Sequence, residues 1–207
     1  MSERQAELVA RIAGCRRCIE APKGSPLPHG PRPVLRVSPT ARIAVCGQAP
    51  GTRVHASGVP FSDPSGVRLR AWMGVSEVEF YDAARIAIVP MGFCFPGLDA
   101  KGGDLPPRPE CAPLWRAQVF ATLPQLQLVL LVGLYAQKWH LGSAAAKAGV
   151  TQTVADWRRH YDPAARLGFM PLPHPSWRNN GWLKRHPWFE TELLPELRTR
   201  LRILLEN

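Results

Sequence analysis

The chain has 207 residues, of which 45% are hydrophobic and 20% charged, values that suit one globular domain, residues 1–207, with a full core. Its 26 Lys and Arg outnumber its 16 Asp and Glu, which gives a net charge of +10. This charge indicates a polyanionic partner, with nucleic acid the leading candidate; the alternative interpretation is a basic composition without such a partner. No apolar run reaches the ~18 residues of a membrane span and the first residues lack a signal-peptide core, which predicts a cytoplasmic protein with no membrane contact. We also expect a monomer.

Short apolar runs alternate with helical patterns along the chain. The first helix should cover residues 2–13, with Ser2 and Gln5 as a capping box, before a Pro- and Gly-rich arm, 15–40. The following elements are, in chain order, a strand (42–46), a glycine-rich loop (47–66), a helix (65–73) with Asp63 or Ser65 near its start, and a short helix after a capping box of Ser76 and Glu79.

The second half of the chain continues this alternation. Its predicted elements are a strand (85–89), a long loop (90–109), a helix (111–122), a strand (127–132), helices at 134–141 and 154–161, a strand (167–172), and a terminal helix (187–205) that Pro195 should kink or divide. Short, continuously apolar strands separated by helices indicate a parallel sheet covered on both faces. We therefore predict a three-layer α/β/α sandwich with a central four-stranded parallel sheet.

Ligands of such sheets bind at the carboxyl ends of the strands. The loops after Cys46, Val89 and Leu172 leave those ends and are rich in Gly, Pro, His or Cys. We expect these three loops to form one site.

The chain has five cysteines, an odd number that does not favour a disulfide framework in a reducing compartment. Cys15 and Cys18 form a close pair, whereas Cys94 and Cys111 are widely spaced. One close pair with two scattered cysteines suits a cuboidal iron–sulfur cluster, and zinc or no metal are the alternatives. Cys46 ends an apolar strand and is expected in the core.

Several motifs occur together and in order: a strand followed by "GQAPG" (47–51), "GVPF" (58–61), the loop between Cys94 and Cys111, and "HPS" (174–176). This combination resembles the uracil-DNA glycosylase superfamily, and within it the iron–sulfur branch often called family 4. The resemblance implies a monofunctional DNA N-glycosylase that excises uracil and initiates base excision repair. It also implies that Cys15, Cys18, Cys94 and Cys111 hold a structural [4Fe–4S] cluster that ties the arm to the long loop, with zinc the alternative.

The resemblance assigns site residues position by position. His174 would hydrogen-bond the departing base, Gln48 would contact the base or a catalytic water, and the base would stack on Phe61. The residues implied for base binding are Gly47, Gln48, Ala49, Pro50, Gly51, Phe61, Pro90 and His174. The residues implied for DNA binding are Ser176, Trp177, Arg178, Asn179, Lys184 and Arg185, in a loop that mixes cations with aromatic rings.

Each of these assignments has an alternative. Phe61 could be an ordinary core residue, His174 a structural histidine, and the loop after it a surface loop with two packed tryptophans. Ala49 stands where some members of the superfamily carry a water-positioning Asp. Pro90 stands where the family often has an Asn that reads uracil, and proline offers neither a side-chain hydrogen bond nor an N–H.

The substrate is therefore open at this stage. In one alternative, backbone groups and Gln48 recognise uracil. In the other, the enzyme acts on another altered base, such as hypoxanthine, xanthine or a modified pyrimidine. A third possibility is a non-catalytic protein that binds damaged or single-stranded DNA.

Overall fold

The computed structural model describes residues 3–206. Its centre is a parallel sheet of four strands in the order β2-β1-β3-β4. The strands are β1 (Ile43–Cys46), β2 (Ile86–Ile88), β3 (Leu128–Val132) and β4 (Gly168–Leu172). In the register, Ala44 of β1 lies between Ala87 of β2 and Val129 of β3. The predicted four-stranded parallel sheet is confirmed, and no strand end differs from its expected position by more than one residue.

Nine helices surround this sheet within residues 3–206. They are α1 (Glu3–Ala13), α2 (Arg17–Glu20), α3 (Thr52–Ser57), α4 (Pro64–Met73), α5 (Glu77–Tyr81), α6 (Cys111–Phe120), α7 (Leu134–Ala155), α8 (Asn180–Arg185) and α9 (Leu194–Glu206). No helix in this part of the chain combines the length and the apolarity needed to cross a bilayer.

The sheet is covered on both faces because alternate residues of a strand point to opposite sides. Ile43 and Val45 of β1 pack in one core with α4, α5 and α9. Ala44 and Cys46 pack in a second core with α1, α6 and the first part of α7. All four side chains are fully buried. The three-layer α/β/α architecture and the core position of Cys46 are thus as predicted.

Local sequence signals explain where several helices begin. The carboxylate of Asp63 accepts the Gly66 amide at 3.1 Å and caps α4. Ser76 and Glu79 form the expected capping box of α5, with a bond of 2.7 Å from the Ser76 amide to Glu79 Oε2. The box predicted for the first helix includes Ser2, which lies outside the described residues. Pro195 lies in the first turn of α9, where its missing N–H costs nothing, and a π turn precedes it, so the expected division is confirmed.

The segment after β3 differs from the prediction. Helix α7 continues to Ala155, with interruptions at Gly142 and Gly149. Their φ angles of 80° and 75° are positive, a conformation that glycine adopts without steric cost and other residues rarely adopt. The helix predicted at 154–161 is wrong, because a 3₁₀ turn, Trp157–Arg159, replaces it. The helical spacing that suggested it reflects burial of Trp157 and Tyr161 in the core rather than a continuous helix. The short helices α2, α3 and α8 were not predicted.

The arm of residues 15–40 is ordered and lies along the free edge of the sheet. Arg36 forms an antiparallel bridge with Ile88 of β2, with N···O distances of 2.9 and 2.7 Å. The Val34 amide donates to the Phe93 carbonyl at 2.7 Å. The arm thereby covers backbone groups that an edge strand would otherwise expose, and it reaches the long loop that follows β2.

Candidate active site

The loops that follow β1, β2 and β4 form one cavity of about 70 Å³. Residues 47–51 come from the first loop, Pro90 from the second and His174 from the third. Two backbone bonds of 2.9 Å join the first two loops, from the Met91 amide to the Gly47 carbonyl and from the Gly92 amide to the Gln48 carbonyl. The predicted convergence of these three loops is what the structure shows.

Phe61 lines this cavity in an unusual backbone conformation. Its φ of 54° is left-handed, which is rare for a bulky residue and costs on the order of 1–3 kcal/mol. Residues of other elements stabilise this conformation, because the Tyr81 hydroxyl and Arg70 Nη1 donate hydrogen bonds to the Phe61 carbonyl at 3.2 and 3.4 Å. A Cβ atom on Gly66 would lie 1.7 Å from the same carbonyl, so only glycine fits there.

The ring of Phe61 packs against the glycine-rich loop. A Cβ atom on Gly47 would lie 3.0 Å from Cζ of Phe61, so the absence of a side chain at position 47 lets the ring approach the backbone. The other side of Phe61 contacts Phe80 edge to face, with ring centroids 6.0 Å apart. Phe61 is therefore a partly buried wall of the cavity, fixed in place by its neighbours, and differs from an ordinary core residue.

His174 lies at the end of β4 with its backbone held in place. The Asn179 side-chain amide donates to the His174 carbonyl at 2.6 Å, which closes the turn that follows the strand. Burial lowers the pKa of His174 below its usual value, and the nearby carboxylate of Asp63 partly opposes this shift. At neutral pH the imidazole is therefore neutral, and it can donate one hydrogen bond into the cavity without carrying a charge.

Gln48 and Pro90 both line this cavity. Gln48 donates from Nε2 to the Leu105 carbonyl at 3.3 Å, which leaves its Oε1 free to accept a bond. Pro90 is buried, and its carbonyl already accepts a bond of 3.2 Å from Nη1 of Arg116. Pro90 can thus contribute shape to the cavity but no free polar group.

Arg116 is a buried cation behind this wall. It is 3% exposed, and Nη1 also donates to the Val89 carbonyl at 3.2 Å. Its Nε donates to Nε2 of His140 at 2.9 Å, which requires that nitrogen to be unprotonated. Burial first, and then Arg116, lower the pKa of His140 to about 3.

The cavity is also lined by two carboxylates that were not predicted from the sequence as site residues. Asp63 had been interpreted only as a helix cap, and Asp104 lies in the long loop after β2 with no motif around it. Asp104 approaches the glycine-rich loop closely, because a Cβ atom on Gly51 would lie 3.2 Å from its Oδ2. Burial and then the charge of Asp63 raise the pKa of Asp104, and Arg178 opposes this shift. The only available signal was an acidic residue in a loop that leaves the carboxyl end of a strand.

The cavity opens into a wider groove of about 620 Å³. Ser176, Trp177, Arg178 and Asn179 line this groove, as do Arg53 and Arg68. Arg68 Nη1 donates to the Ser176 carbonyl at 2.9 Å and fixes the loop, whereas Trp177 is 72% exposed. Lys184 and Arg185, which were grouped with these residues, are exposed on α8 and do not line the groove.

Comparison with known proteins identifies this arrangement. A family model described as the uracil DNA glycosylase superfamily matches residues 36–198. The chain belongs to this superfamily. Its members are DNA N-glycosylases, hydrolases that act on deaminated bases in DNA.

One solved structure is similar in outline, the crystal structure of wild-type SMUG2 from Pedobacter heparinus. It is 11% identical in sequence, with a TM-score of 0.40, and the match covers 100% of this chain and 97% of that chain.

The glycosylase has a second cavity, on the side of the sheet that carries α1 and α6. Cys15, Cys18, Cys94 and Cys111 all line it, and all five cysteines of the chain are free. Its remaining walls are largely apolar and include Ile12, Leu27, Phe93, Leu114 and Trp115. No three His, Cys, Asp or Glu side chains within residues 3–206 form a group that could hold a metal ion, so the four thiols surround the cavity without meeting at one point.

Burial partly shields three of these four thiols from water. Burial raises the pKa of Cys94 and Cys111 to about 12, and burial together with Glu110 raises the pKa of Cys18 to about 11. The Phe93 amide donates to Sγ of Cys111 at 3.3 Å. The arm supplies Cys15 and Cys18 and the long loop supplies Cys94, and Cys111 begins α6. One cavity therefore joins three separate segments of the chain.

Proposed function

We propose that this protein removes uracil, or a closely related deaminated base, from DNA by hydrolysing the N-glycosidic bond, and so initiates base excision repair. The observation that carries the proposal is a small cavity that opens into a basic groove. The cavity has the fixed ring of Phe61 and neutral His174 in its wall. An enzyme that acts on a base must take it out of the helical stack and enclose it.

The groove suits the DNA backbone, and the cavity suits a flipped base. Arg53, Arg68 and Arg178 can meet phosphates along the groove, while exposed Trp177 can fill the gap that the flipped nucleotide leaves. The flipped base would enter the cavity that Phe61 and residues 48–51 line, and would stack on the exposed face of the Phe61 ring. Stacking on a ring that is already held in place costs little ordering at the moment of binding.

Bond breaking would follow from charge placement in this cavity. The C1′–N bond cleaves with its electron pair leaving on the base, so the sugar becomes an oxocarbenium-like cation and the base becomes an anion. Neutral His174 can donate a hydrogen bond to a base oxygen as this negative charge develops. Such a donor acts more strongly in the transition state than on the neutral substrate, and therefore speeds the reaction rather than only tightening binding.

Base selection would rest on few polar groups. Pro90 has no N–H, its side chain is apolar, and Arg116 already binds its carbonyl. Gln48 therefore remains the side-chain reader, together with His174. With so few readers, discrimination among uracil, its 5-substituted forms and other deaminated bases should be loose. The second candidate function is a glycosylase that prefers another altered base.

We further propose that Cys15, Cys18, Cys94 and Cys111 hold a structural [4Fe–4S] cluster, with zinc the alternative. The donor set is all sulfur, and it lines one enclosed, largely apolar cavity, as a cluster with one thiolate per iron requires. The backbone N–H of Phe93 donates a hydrogen bond to Sγ of Cys111, and such hydrogen bonds stabilise a sulfur that coordinates a metal. The cluster would fasten the arm to the long loop and to α6, and would take no part in bond cleavage.

A panel of oligonucleotides, each with one altered base, tests the proposed function. Single-turnover excision should be fastest for uracil or a 5-substituted uracil, with slower release of hypoxanthine or xanthine. A preference for a deaminated purine would move the substrate to the second candidate. Tight binding of these oligonucleotides without release of any base would show a non-catalytic DNA-binding protein instead.

A further inference from the structure

We infer that Asp104 is the catalytic carboxylate that accepts a proton from the water attacking C1′ of the flipped nucleotide. This inference rests on the proposed glycosylase function and names the group that completes its reaction. The superfamily motif offers no such group here, since Ala49 stands where some members carry a water-positioning Asp. The chain must therefore supply the function from elsewhere or manage without it.

The first argument is position. Asp104 lines both the base cavity and the DNA groove, so it stands at the mouth where the two join. A flipped nucleotide has its base in the cavity and its phosphates in the groove, which leaves its sugar at that mouth. His174 also lines both spaces, and Ala49 does too. Asp104 therefore lies at the same mouth as His174 and the vacant motif position, and Asp63 lines both spaces as well.

The second argument is that the loop holding Asp104 is preorganised. Asp99 Oδ1 accepts the amides of Lys101 and Gly103, both at 2.8 Å, and the Leu105 amide donates to the Gly97 carbonyl at 2.9 Å. Gln48 then binds the Leu105 carbonyl and joins this turn to the glycine-rich loop. A catalytic group needs this kind of support, because misplacement by about 1 Å can cost a hundredfold in rate.

The third argument is that the Asp104 carboxylate is available. No hydrogen bond or ion pair to its side chain occurs within residues 3–206, whereas the Asp63 carboxylate caps α4. Its oxygens can therefore accept bonds from a water. The charged and titratable groups that face it are Asp63, Arg178 and His174. Burial and Asp63 raise the pKa of Asp104, which makes it a better proton acceptor than an ordinary aspartate when ionised.

The reaction balances with this group as the base. The base leaves C1′ with the bonding electron pair, a water oxygen donates a pair to C1′, and one water proton passes to the Asp104 carboxylate. The departed base anion takes up a proton, and Asp104 later releases its own to solvent. The products are the free base and an abasic sugar that carries the water's hydroxyl group.

Asp104→Asn tests the inference, because it keeps the shape of the side chain and removes the proton acceptor. We expect single-turnover excision of uracil to fall by about a hundredfold. Affinity for DNA that contains non-cleavable 2′-fluorodeoxyuridine should be unchanged or slightly tighter, since a negative charge near the phosphates is gone. The wild-type rate should drop as pH falls towards the raised pKa of Asp104, and the variant should lack this inflection.

Two matched variants separate the possible results. Glu7→Gln removes a carboxylate from the exposed surface of α1 and should leave the rate unchanged. Asp63→Asn keeps a capping side chain and should cost less than Asp104→Asn. The inference is overturned if Asp104→Asn excises uracil within threefold of wild type, if its affinity falls together with its rate, or if Asp63→Asn shows the larger loss. A wild-type protein that releases no base would overturn the proposed function as well.

Discussion

The base cavity and the cysteine cavity are built partly from the same loop, yet they differ in every property that matters for chemistry. Residues between β2 and α6 bring Pro90 and Asp104 to the first cavity and Cys94 to the second. The base cavity combines apolar walls with a few polar side chains and opens into a groove, so it can admit a base and water. The cysteine cavity is largely apolar, and burial raises the pKa of three of its thiols, Cys18, Cys94 and Cys111. The difference teaches that one loop can serve a reaction at one end and the stability of the fold at the other.

The comparison predicts that changes in the cysteine cavity alter stability more than rate, and this is the largest effect we expect. Cys111→Ala should lose bound iron and lower the free energy of unfolding by more than about 4 kcal/mol, because a tightly bound group stabilises only the folded state. Urea unfolding and iron analysis of protein purified without oxygen provide the measurement.

Cys46→Ala is the matched control. Cys46 is fully buried at the end of β1, whereas Cys111 is half-buried, and Cys46 does not line the cysteine cavity. Its loss should cost about 1 kcal/mol, the transfer cost of one small buried group, and should leave the iron content unchanged. Equal stability losses for the two variants, with no iron in the wild type, would remove the proposed cluster, and one zinc per chain would support the alternative metal.

Changes in the base cavity should show the opposite pattern. His174→Ala should reduce single-turnover excision by about a hundred- to a thousandfold, or roughly 2.7–4 kcal/mol on the barrier, because it removes one preorganised donor to the departing base. Affinity for substrate DNA should stay within a few-fold, and the melting temperature should change little. His160→Ala is the control, since His160 lies outside both cavities. A parallel loss of rate and affinity would assign His174 to DNA positioning instead.

The framework behind both cavities should respond to pH through His140. In the folded protein the pKa of His140 is lowered to about 3, whereas a histidine in an unfolded chain has a pKa near 6.5. Between these values the unfolded chain binds a proton that the folded protein does not, so stability should fall as pH falls, by about 1.5 kcal/mol from pH 6.5 to pH 5.

Urea unfolding at several pH values tests this expectation. His140→Gln keeps an oxygen that can accept the bond from Arg116 but does not titrate, so the variant should lose most of the pH dependence in this window. An unchanged slope in His140→Gln would show that the acid sensitivity comes from other groups.

The smallest effect concerns the groove. Arg178 lines it and Arg185 does not, so Arg178→Gln should lower the slope of log affinity against log salt by about 1. Arg185→Gln should lower it by less. Fluorescence anisotropy with labelled duplex DNA over a salt series gives both slopes. Equal slopes for the two variants would extend the DNA interface to α8.

The sequence contained enough to predict the sheet and the three converging loops, because apolar strands and loop glycines report directly on burial and close approach. Phe61 and His174 were found through motifs that lie in order along the chain. The left-handed backbone of Phe61 could not be predicted, since it depends on Tyr81, Arg70 and Gly66, which contact it from other elements.

Other features were hidden for similar reasons. Asp104 is separated from residues 47–51 by more than fifty positions, and only the turn closed by Asp99 brings it to the cavity. Lys184 and Arg185 were grouped with the groove because they follow it closely in sequence, but α8 carries them away. Proximity along the chain was a poor guide wherever an unpredicted short helix changed its direction.

The most direct test of the central claim is to detect the products of a single turnover. Wild-type protein in excess over a duplex with one uracil should release one equivalent of free uracil and leave one abasic site per duplex, both measured by mass spectrometry. The same duplex with thymine in place of uracil should remain intact. Complete binding of the uracil duplex with neither free base nor abasic site would contradict the assignment of the cavity beside Phe61 and His174 as a site of base excision.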